Sequence, residues 1–299
     1  MNMQIALFVY NRLEHTKNTI NALKRNDVSN VTLYVFSDGF KNSDDEKSVN
    51  QLRLYLKNIE GFSKVIVTES NENKGLAKSI ISGVTSVLKK HETVIVLEDD
   101  LVVSPYFVDY MRNGLLKYKD DRQVMSIAGY SYPIFAETLE DKSDTYFLKL
   151  TTSWGWGTWK DSWDFFEKDV DKIVQNFSKD EIKEFNINNS ENYWKQVLLN
   201  KSKVIDTWAI FWYAAVYKNN GLTLFPKVSM VDNTGHDGSG TNCGATNRYD
   251  VRLNDSAIKF YEENIKENKY ARNQLEQYFK DTKISFMIRA INYVKRKIK

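Results

Sequence analysis

Short apolar runs alternate with amphipathic stretches through the first third of the chain. Residues 5–10, 31–36, 65–68 and 94–97 are apolar without a period-two break, the pattern of strands buried on both faces of a parallel sheet. Helical spacing predicts the segments between them. One helix opens with Leu13, Glu14, His15 and Thr16 and carries Ile20 and Leu23 on its apolar side; one spans residues 44–58 with Val49, Leu52, Leu56 and Ile59; one carries Ile80, Val84, Val87 and Leu88 up to His91. This alternation predicts a mostly parallel sheet with right-handed crossovers, so that the ends of four strands gather along one edge. Those ends are Asn11 and Arg12, Asp38, Asn71 to Lys74, and the acidic triplet Glu98, Asp99 and Asp100.

The triplet is the sharpest discontinuity in the pattern. An apolar run that stops in adjacent carboxylates must leave the sheet there, because burying those charges unpaired is very costly. If extended geometry persists, Glu98 and Asp100 point one way and Asp99 the other. The carboxyl end of a central strand is where open α/β sheets bind ligands. Hard oxygen donors suit Mg²⁺ or Mn²⁺ completed by water and diphosphate oxygens, whereas the bland alternative is a solvated acidic turn. Ser104 and Pro105 then read as a cap and first turn, followed by Phe107, Met111, Leu115 and Tyr118 at helical spacing.

Further along, residues 123–128 and 146–150 read as strands, Ser178 opens a short polar helix, and 192–199 is another. Residues 205–217 predict a largely buried helix capped by Asp206 or Thr207; 222–226 and 228–231 predict a late hairpin or pair of strands; 255–280 predicts a long amphipathic helix. Between 151 and 163 the chain is dense in Trp and Gly. Indole faces stack on pyranose rings and glycines admit close backbone approach, which makes this stretch either a sugar-facing wall or a buried aromatic plug. Residues 232–244, polar and glycine-rich, read as a mobile loop.

Composition narrows the class. The 299 residues, 42% hydrophobic, suffice for one elaborated domain or two close lobes. A formal charge of +3 with mixed signs gives no nucleic-acid footprint. Cys243 is the single cysteine, which excludes an internal disulfide, and with three His it cannot build the usual structural zinc sites. No signal peptide or membrane span is expected, since the opening apolar run is short and lacks a basic n-region. The tail from 283 to 299 is basic and amphipathic, fitting either contact with an anionic membrane or docking on protein. No Gly-x-Gly-x-x-Gly or Gly-x-x-x-x-Gly-Lys-Ser/Thr motif occurs.

Four motifs carry a resemblance: Phe-Val-Tyr-Asn-Arg-Leu-Glu-His-Thr from Phe8, Ser-Asp-Gly from Ser37, Asn-Lys-Gly-Leu-Ala from Asn73 and Leu-Glu-Asp-Asp-Leu from Leu97. In this order they resemble the nucleotide-binding half of bacterial GT-A-fold glycosyltransferases, family 2-like and N-acetylglucosaminyltransferase I-like. A Trp-Gly-Trp-Gly-Thr-Trp stretch, here from Trp154, recurs in such enzymes. The resemblance implies an α/β fold of the GT-A type, a Rossmann-like mostly parallel sheet flanked by helices with a C-terminal helical extension. Residues 1–122 would bind the nucleotide sugar, 123–255 would form the acceptor-binding half, and 256–299 would be C-terminal helices with the basic tail.

It further implies a metal-dependent transferase, using Mn²⁺ or Mg²⁺ and a nucleotide-sugar donor, a UDP-sugar first, with inversion. Asp100 would be the metal ligand. Asp38 would recognise the base, Tyr10, Asn11 and Arg12 would lie near base or phosphates, Asn73 and Lys74 would line the pocket, and Glu98 and Asp99 would contact ribose or sugar. Trp154, Gly155 and Trp156 would wall the donor or acceptor. His236 and Asp237 would sit in a loop closing over the diphosphate. Asp206 would be the base taking the acceptor hydroxyl proton, although some relatives carry Trp-Asp where this chain has Trp208 and Ala209. A saccharide or lipid-linked acceptor in surface-glycan synthesis, at the cytoplasmic face of the membrane, would fit the basic tail. Two rivals remain open, a glycan-binding scaffold and a sugar nucleotidyltransferase, though the latter expects a glycine-rich phosphate loop after the first strand, where this chain has Tyr10 to His15.

Overall fold

The computed structural model describes residues 2–134, 143–237 and 248–283. Its first half is four β-strands connected by helices: β1 (Met3–Val9), α1 (Leu13–Lys24), β2 (Val31–Ser37), α2 (Ser43–Leu56), β3 (Lys64–Glu69), α3 (Leu76–Leu88) and β4 (Thr93–Glu98). β3, β2, β1 and β4 lie side by side and parallel. The unbroken apolar runs follow from double coverage. Ile5, Leu7, Ile95 and Leu97 pack on the side of Ile20, Leu23, Leu52 and Leu56 from α1 and α2. Ala6, Phe8, Val94 and Val96 pack on the opposite side against Ile80, Val84 and Val87 of α3. Alternate residues therefore enter two different cores, and both must be apolar.

After β4 the chain makes β5 (Leu101–Val103), α4 (Phe107–Lys117), β6 (Val124–Ala128), β7 (Thr145–Leu148), β8 (Trp156–Trp159), α5 (Lys160–Trp163), α6 (Val170–Asn176), α7 (Lys179–Phe185), α8 (Tyr193–Lys201), α9 (Ala209–Lys218), β9 (Leu222–Pro226), β10 (Val231–Asn233) and α10 (Lys269–Asp281). The main sheet runs β3-β2-β1-β4-β8-β6-β9-β7, with β8 antiparallel to both β4 and β6, and β7 antiparallel to β9. This is the α/β architecture of the GT-A type. One sheet runs continuously across the division expected at residue 122.

Several expectations give way to local hydrogen bonding. The helix predicted from 205 begins at Ala209, with Trp208 at its N-cap and no side-chain cap. Asn200 holds Thr207 outside it, accepting from the Thr207 N–H at 3.0 Å and donating to Oγ1 at 2.9 Å. Of the long helix predicted over 255–280, only α10 forms, capped by Asn268. The residues before it lie along β7, where Asp144 accepts from the N–H groups of Lys259 and Phe260, Thr145 Oγ1 accepts from that of Glu262, and the Phe147 carbonyl accepts from that of Asn268. Their donors are taken by tertiary partners, so no helix continues. Ser104 sits two residues ahead of the α4 cap, Tyr106, to whose N–H its hydroxyl is an acceptor.

The late strands form no hairpin. β9 belongs to the main sheet, while β10 leaves it and pairs antiparallel with β5, Asn233 opposite Leu101 and Val231 opposite Val103. The basic tail predicted over 283–299 lies outside the described residues but for Lys283, as do Cys243 and the rest of the glycine-rich loop beyond Asp237.

Candidate active site

The carboxyl ends of β1, β2, β3 and β4 share one edge and are laced together. The Asp38 N–H donates to the Val9 carbonyl at 3.1 Å, and that of Ser70 to Ser37 at 2.9 Å. From α2, Arg53 donates to the Ser37 hydroxyl and to the carbonyls of Asp38 and Ser70 at 3.2, 3.2 and 2.7 Å. Asp38 is buried, and its carboxylate accepts from the N–H groups of Gly39, Lys74 and Gly75 at 3.0, 2.9 and 2.9 Å. It thereby takes orphan donors at the start of α3. Asn73 donates to the Gly39 carbonyl at 2.8 Å. Asp38 and Asn73 thus build the shape of this edge through the backbone.

Tyr10 and Asn11 are held by one carboxylate that sequence reasoning did not single out. Asp45 in the first turn of α2 accepts from the Tyr10 hydroxyl at 2.7 Å and from Asn11 Nδ2 at 2.9 Å. Burial first, then the bond to Asp45, pushes the Tyr10 phenol up to about 12. Read in sequence, Asp45 is an ordinary helix-start acid, and nothing in its spacing marked it.

At the end of β4 the strand geometry stops. Glu98 is the last strand residue, Asp99 and Asp100 form a turn, and β5 resumes at Leu101. Extended geometry ends at Glu98, so the condition for alternation is not met, and the turn aims Asp99 and Asp100 at the same guanidinium. Arg12 Nη2 bonds Asp99 Oδ1 and reaches Asp100 Oδ2 at 2.8 Å. The turn backbone is clamped from two sides, by the Thr19 hydroxyl donating to the Asp99 carbonyl at 2.8 Å and by the Thr234 N–H and hydroxyl, each 2.9 Å from the Asp100 carbonyl. Gly235 follows so closely that a Cβ there would lie 2.1 Å from Asp100 Oδ2. The β5–β10 ladder thus delivers Thr234 and Gly235 onto the acidic turn. His236 and Asp237 belong to a short 3₁₀ turn of this segment.

Three carboxylates face one guanidinium, and the imbalance shows in their protonation. Burial, then Asp100 and Asp99, push Glu98 up to about 8 although part of its side chain reaches solvent; burial outweighs Arg12 and lifts Asp99 to about 6. Burial works against the Arg12 charge, but Asp99 and Asp100 outweigh it and raise its pKa. Uncompensated negative charge on hard oxygen donors fits a divalent cation. Among the described residues no group of three or more His, Cys, Asp or Glu is arranged to hold a metal ion by itself. Mg²⁺ shared with diphosphate and water is held by one or two carboxylates, and Asp99 and Asp100 offer two, both engaged here by Arg12.

A pH dependence follows. Glu98 and Asp99 bind protons in the folded protein that the unfolded chain has released, so their contribution to stability is full below pH 4 and is lost as pH rises through about 6 and 8. In EDTA, the urea midpoint of Glu98→Gln is expected to exceed that of the wild type at pH 8 and to match it at pH 4. Equal midpoints at both pH values would contradict the assignment.

The Trp-Gly stretch divides. Trp156 is fully buried in β8, stacked on Trp208 at 5.2 Å and packed with Trp163 and Trp212, so it has no face for a sugar. Gly155, with φ 64°, approaches β10; a Cβ there would lie 2.8 Å from a Val231 methyl. Trp154 is half-buried and edge-on to Tyr130 and Tyr249 at 4.6 and 5.4 Å. Asp206 is exposed and ion-paired with Lys168. Lys74 contributes its backbone N–H to Asp38 and exposes its side chain.

An open edge of parallel strand ends closed by an acidic turn is the arrangement this α/β fold of the GT-A type presents. Residues 5–167, more than half of the chain, match glycosyl transferase family 2, and the chain belongs to that family. No curated protein matches it. Among solved structures it is similar to S. aureus TarS 1-349, with a TM-score of 0.44 and 11% identity over 79% of this chain and 62% of that one. It is also similar to the mannosyltransferase PcManGT from Pyrobaculum calidifontis in complex with GDP-Man and Mn²⁺, with a TM-score of 0.39 and 8% identity over 73% of this chain and 69% of that one. The chain spans 25% of the length of the longer S. aureus TarS structure, at a TM-score of 0.34 and 11% identity over 49% of this chain. No helix among the described residues is long and apolar enough to cross a membrane.

Proposed function

We propose that this glycosyltransferase moves a sugar from a nucleoside diphosphate donor, a UDP-sugar first, to a saccharide or lipid-linked glycan acceptor, with inversion, in the synthesis of a surface glycan. The observation that carries the reading is the Asp99–Asp100 turn at the end of β4, both aspartates held on the Arg12 guanidinium, on the strand-end edge of a family 2 fold. A divalent cation bound there supplies charge neutralisation for the departing diphosphate. Asp100 is its proposed protein ligand, with Asp99 and Glu98 toward ribose and sugar. Asp38, Asn73 and Lys74 form the base side of the pocket, and Tyr10 and Asn11 are set beside it by Asp45. Trp154, rather than Trp156, is the proposed sugar-facing indole. His236 and Asp237, in the 3₁₀ turn that follows β10, are proposed to close over the diphosphate.

For the base we retain Asp206, whose carboxylate would leave Lys168 to take the acceptor proton. Asp206→Asn is expected to lower kcat by roughly 10²-fold or more while leaving donor affinity unchanged; unchanged kcat would remove Asp206 from the mechanism.

The deciding experiment is calorimetric titration of UDP and a panel of UDP-, GDP- and dTDP-sugars in Mn²⁺ and in EDTA. Metal-dependent binding of one nucleotide class supports the transferase and fixes the donor class. Metal-independent binding of glycans without nucleotide binding would favour a scaffold instead.

A further inference from the structure

Arg12 is placed where it both completes and obstructs the acidic turn. Its backbone is pinned at the start of α1, the carbonyl accepting from the Thr16 N–H at 3.0 Å and from the Thr16 hydroxyl at 2.9 Å. The turn it faces is pinned as well, by Thr19 and Thr234. With both backbones held, rearrangement between them falls to side chains, of which Arg12 is the longest. One nitrogen, Nη2, serves both Asp99 and Asp100. The other, Nη1, is buried and has no hydrogen-bond partner. A buried guanidinium nitrogen without an acceptor is costly, and its geometry is suited to an anionic oxygen. Meanwhile Asp100 Oδ2 is covered by Arg12 on one side and approached by Gly235 on another.

From this we infer that Arg12 is a resident counter-cation, which neutralises the Asp99–Asp100 pair in the metal-free protein, competes with a divalent ion for it, and turns its Nη1 to a diphosphate oxygen when metal and nucleotide arrive together. The inference rests on the metal–diphosphate reading above and adds a regulation to it: a lone cation is disfavoured and the metal–nucleotide pair is accepted. Arg12 acts here as a positioning residue for the turn and a contact for the donor. Its chemistry matches, since guanidinium binds carboxylate and phosphate oxygens alike.

The test is Mn²⁺ binding followed by electron paramagnetic resonance on wild type, Arg12→Met and Arg12→Lys, each with and without UDP. Arg12→Met is expected to bind Mn²⁺ alone on the order of tenfold tighter than wild type, because a positive charge beside the ligand is gone. UDP should sharpen Mn²⁺ binding strongly in wild type, less in Arg12→Lys and least in Arg12→Met. A gain of metal affinity is not something a merely structural lesion produces. Arg12→Met that binds Mn²⁺ no tighter than wild type, while wild type binds both Mn²⁺ and UDP, overturns this inference and leaves the transferase reading standing. Wild type that binds neither overturns both. Should Arg12→Met fail to fold, nitrogen-15 resonances of the wild-type Arg12 side chain decide: they are expected to shift more with Mg²⁺ and UDP together than with Mg²⁺ alone, and indifference to the pair refutes the exchange.

Discussion

Asp100→Asn is expected to lower donor turnover by roughly 10²- to 10³-fold, the range found when a single charge-stabilising group is removed from an active site. The substitution keeps the shape of the side chain and an oxygen for Arg12, but removes the charge proposed to hold the cation. Release of UDP from the donor sugar is the readout, with and without Mn²⁺. Binding of UDP should lose its metal dependence in the variant. The fold should be unharmed, because the clamps on this turn use the carbonyls of Asp99 and Asp100 rather than their side chains. Removing a carboxylate next to Glu98 also relieves a repulsion that contributes to its raised pKa. Turnover within a few-fold of wild type, in a folded variant, would take Asp100 out of the metal site.

Trp156→Ala should have the largest effect on stability, about 3–5 kcal/mol, the usual range for emptying a buried tryptophan position. Trp156 is enclosed by Trp163, Trp208 and Trp212 between β8, α5 and α9, so truncation leaves a cavity that three rigid rings cannot collapse into. Against a typical total of about 5–15 kcal/mol, a loss of that size brings the protein near its unfolding threshold. Trp154→Ala, by contrast, gives up edge-on contacts with Tyr130 and Tyr249 on a half-buried side chain and should cost about 1–2 kcal/mol. Urea denaturation separates the two, and a panel of nucleotide sugars tests whether Trp154→Ala alone weakens sugar binding. Equal stability losses at both positions would mean that Trp154 is also core.

These expectations differ because two tryptophans one glycine apart in sequence occupy different environments. The density of Trp and Gly was visible from the chain alone, and so was the choice it posed between plug and wall. What resolved it was β8 entering the sheet between β4 and β6, which turns Trp156 into the α3-side core. A late strand inserted antiparallel between two early ones is a long-range pairing, and local sequence carries no signal for it.

The first four strands and three helices were determined by sequence, for a physical reason. A strand covered on both faces must be apolar at every position, and a helix lying on it must be apolar every three or four residues, so both patterns are local and strong. The acidic triplet was equally legible, since charge cannot follow a buried run without ending it. Tertiary structure alone decided the rest. It brought Arg12, eighty-eight residues from Asp100, onto both aspartates, and set Asp45 under Tyr10 and Asn11. Thr234 and Gly235 reached the turn through the β5–β10 pair. The segment before α10 stayed unwound because Asp144, Thr145 and Phe147 took its backbone donors. Each of these is a contact between residues distant in the chain, chosen by the packing of elements rather than by any periodicity within them.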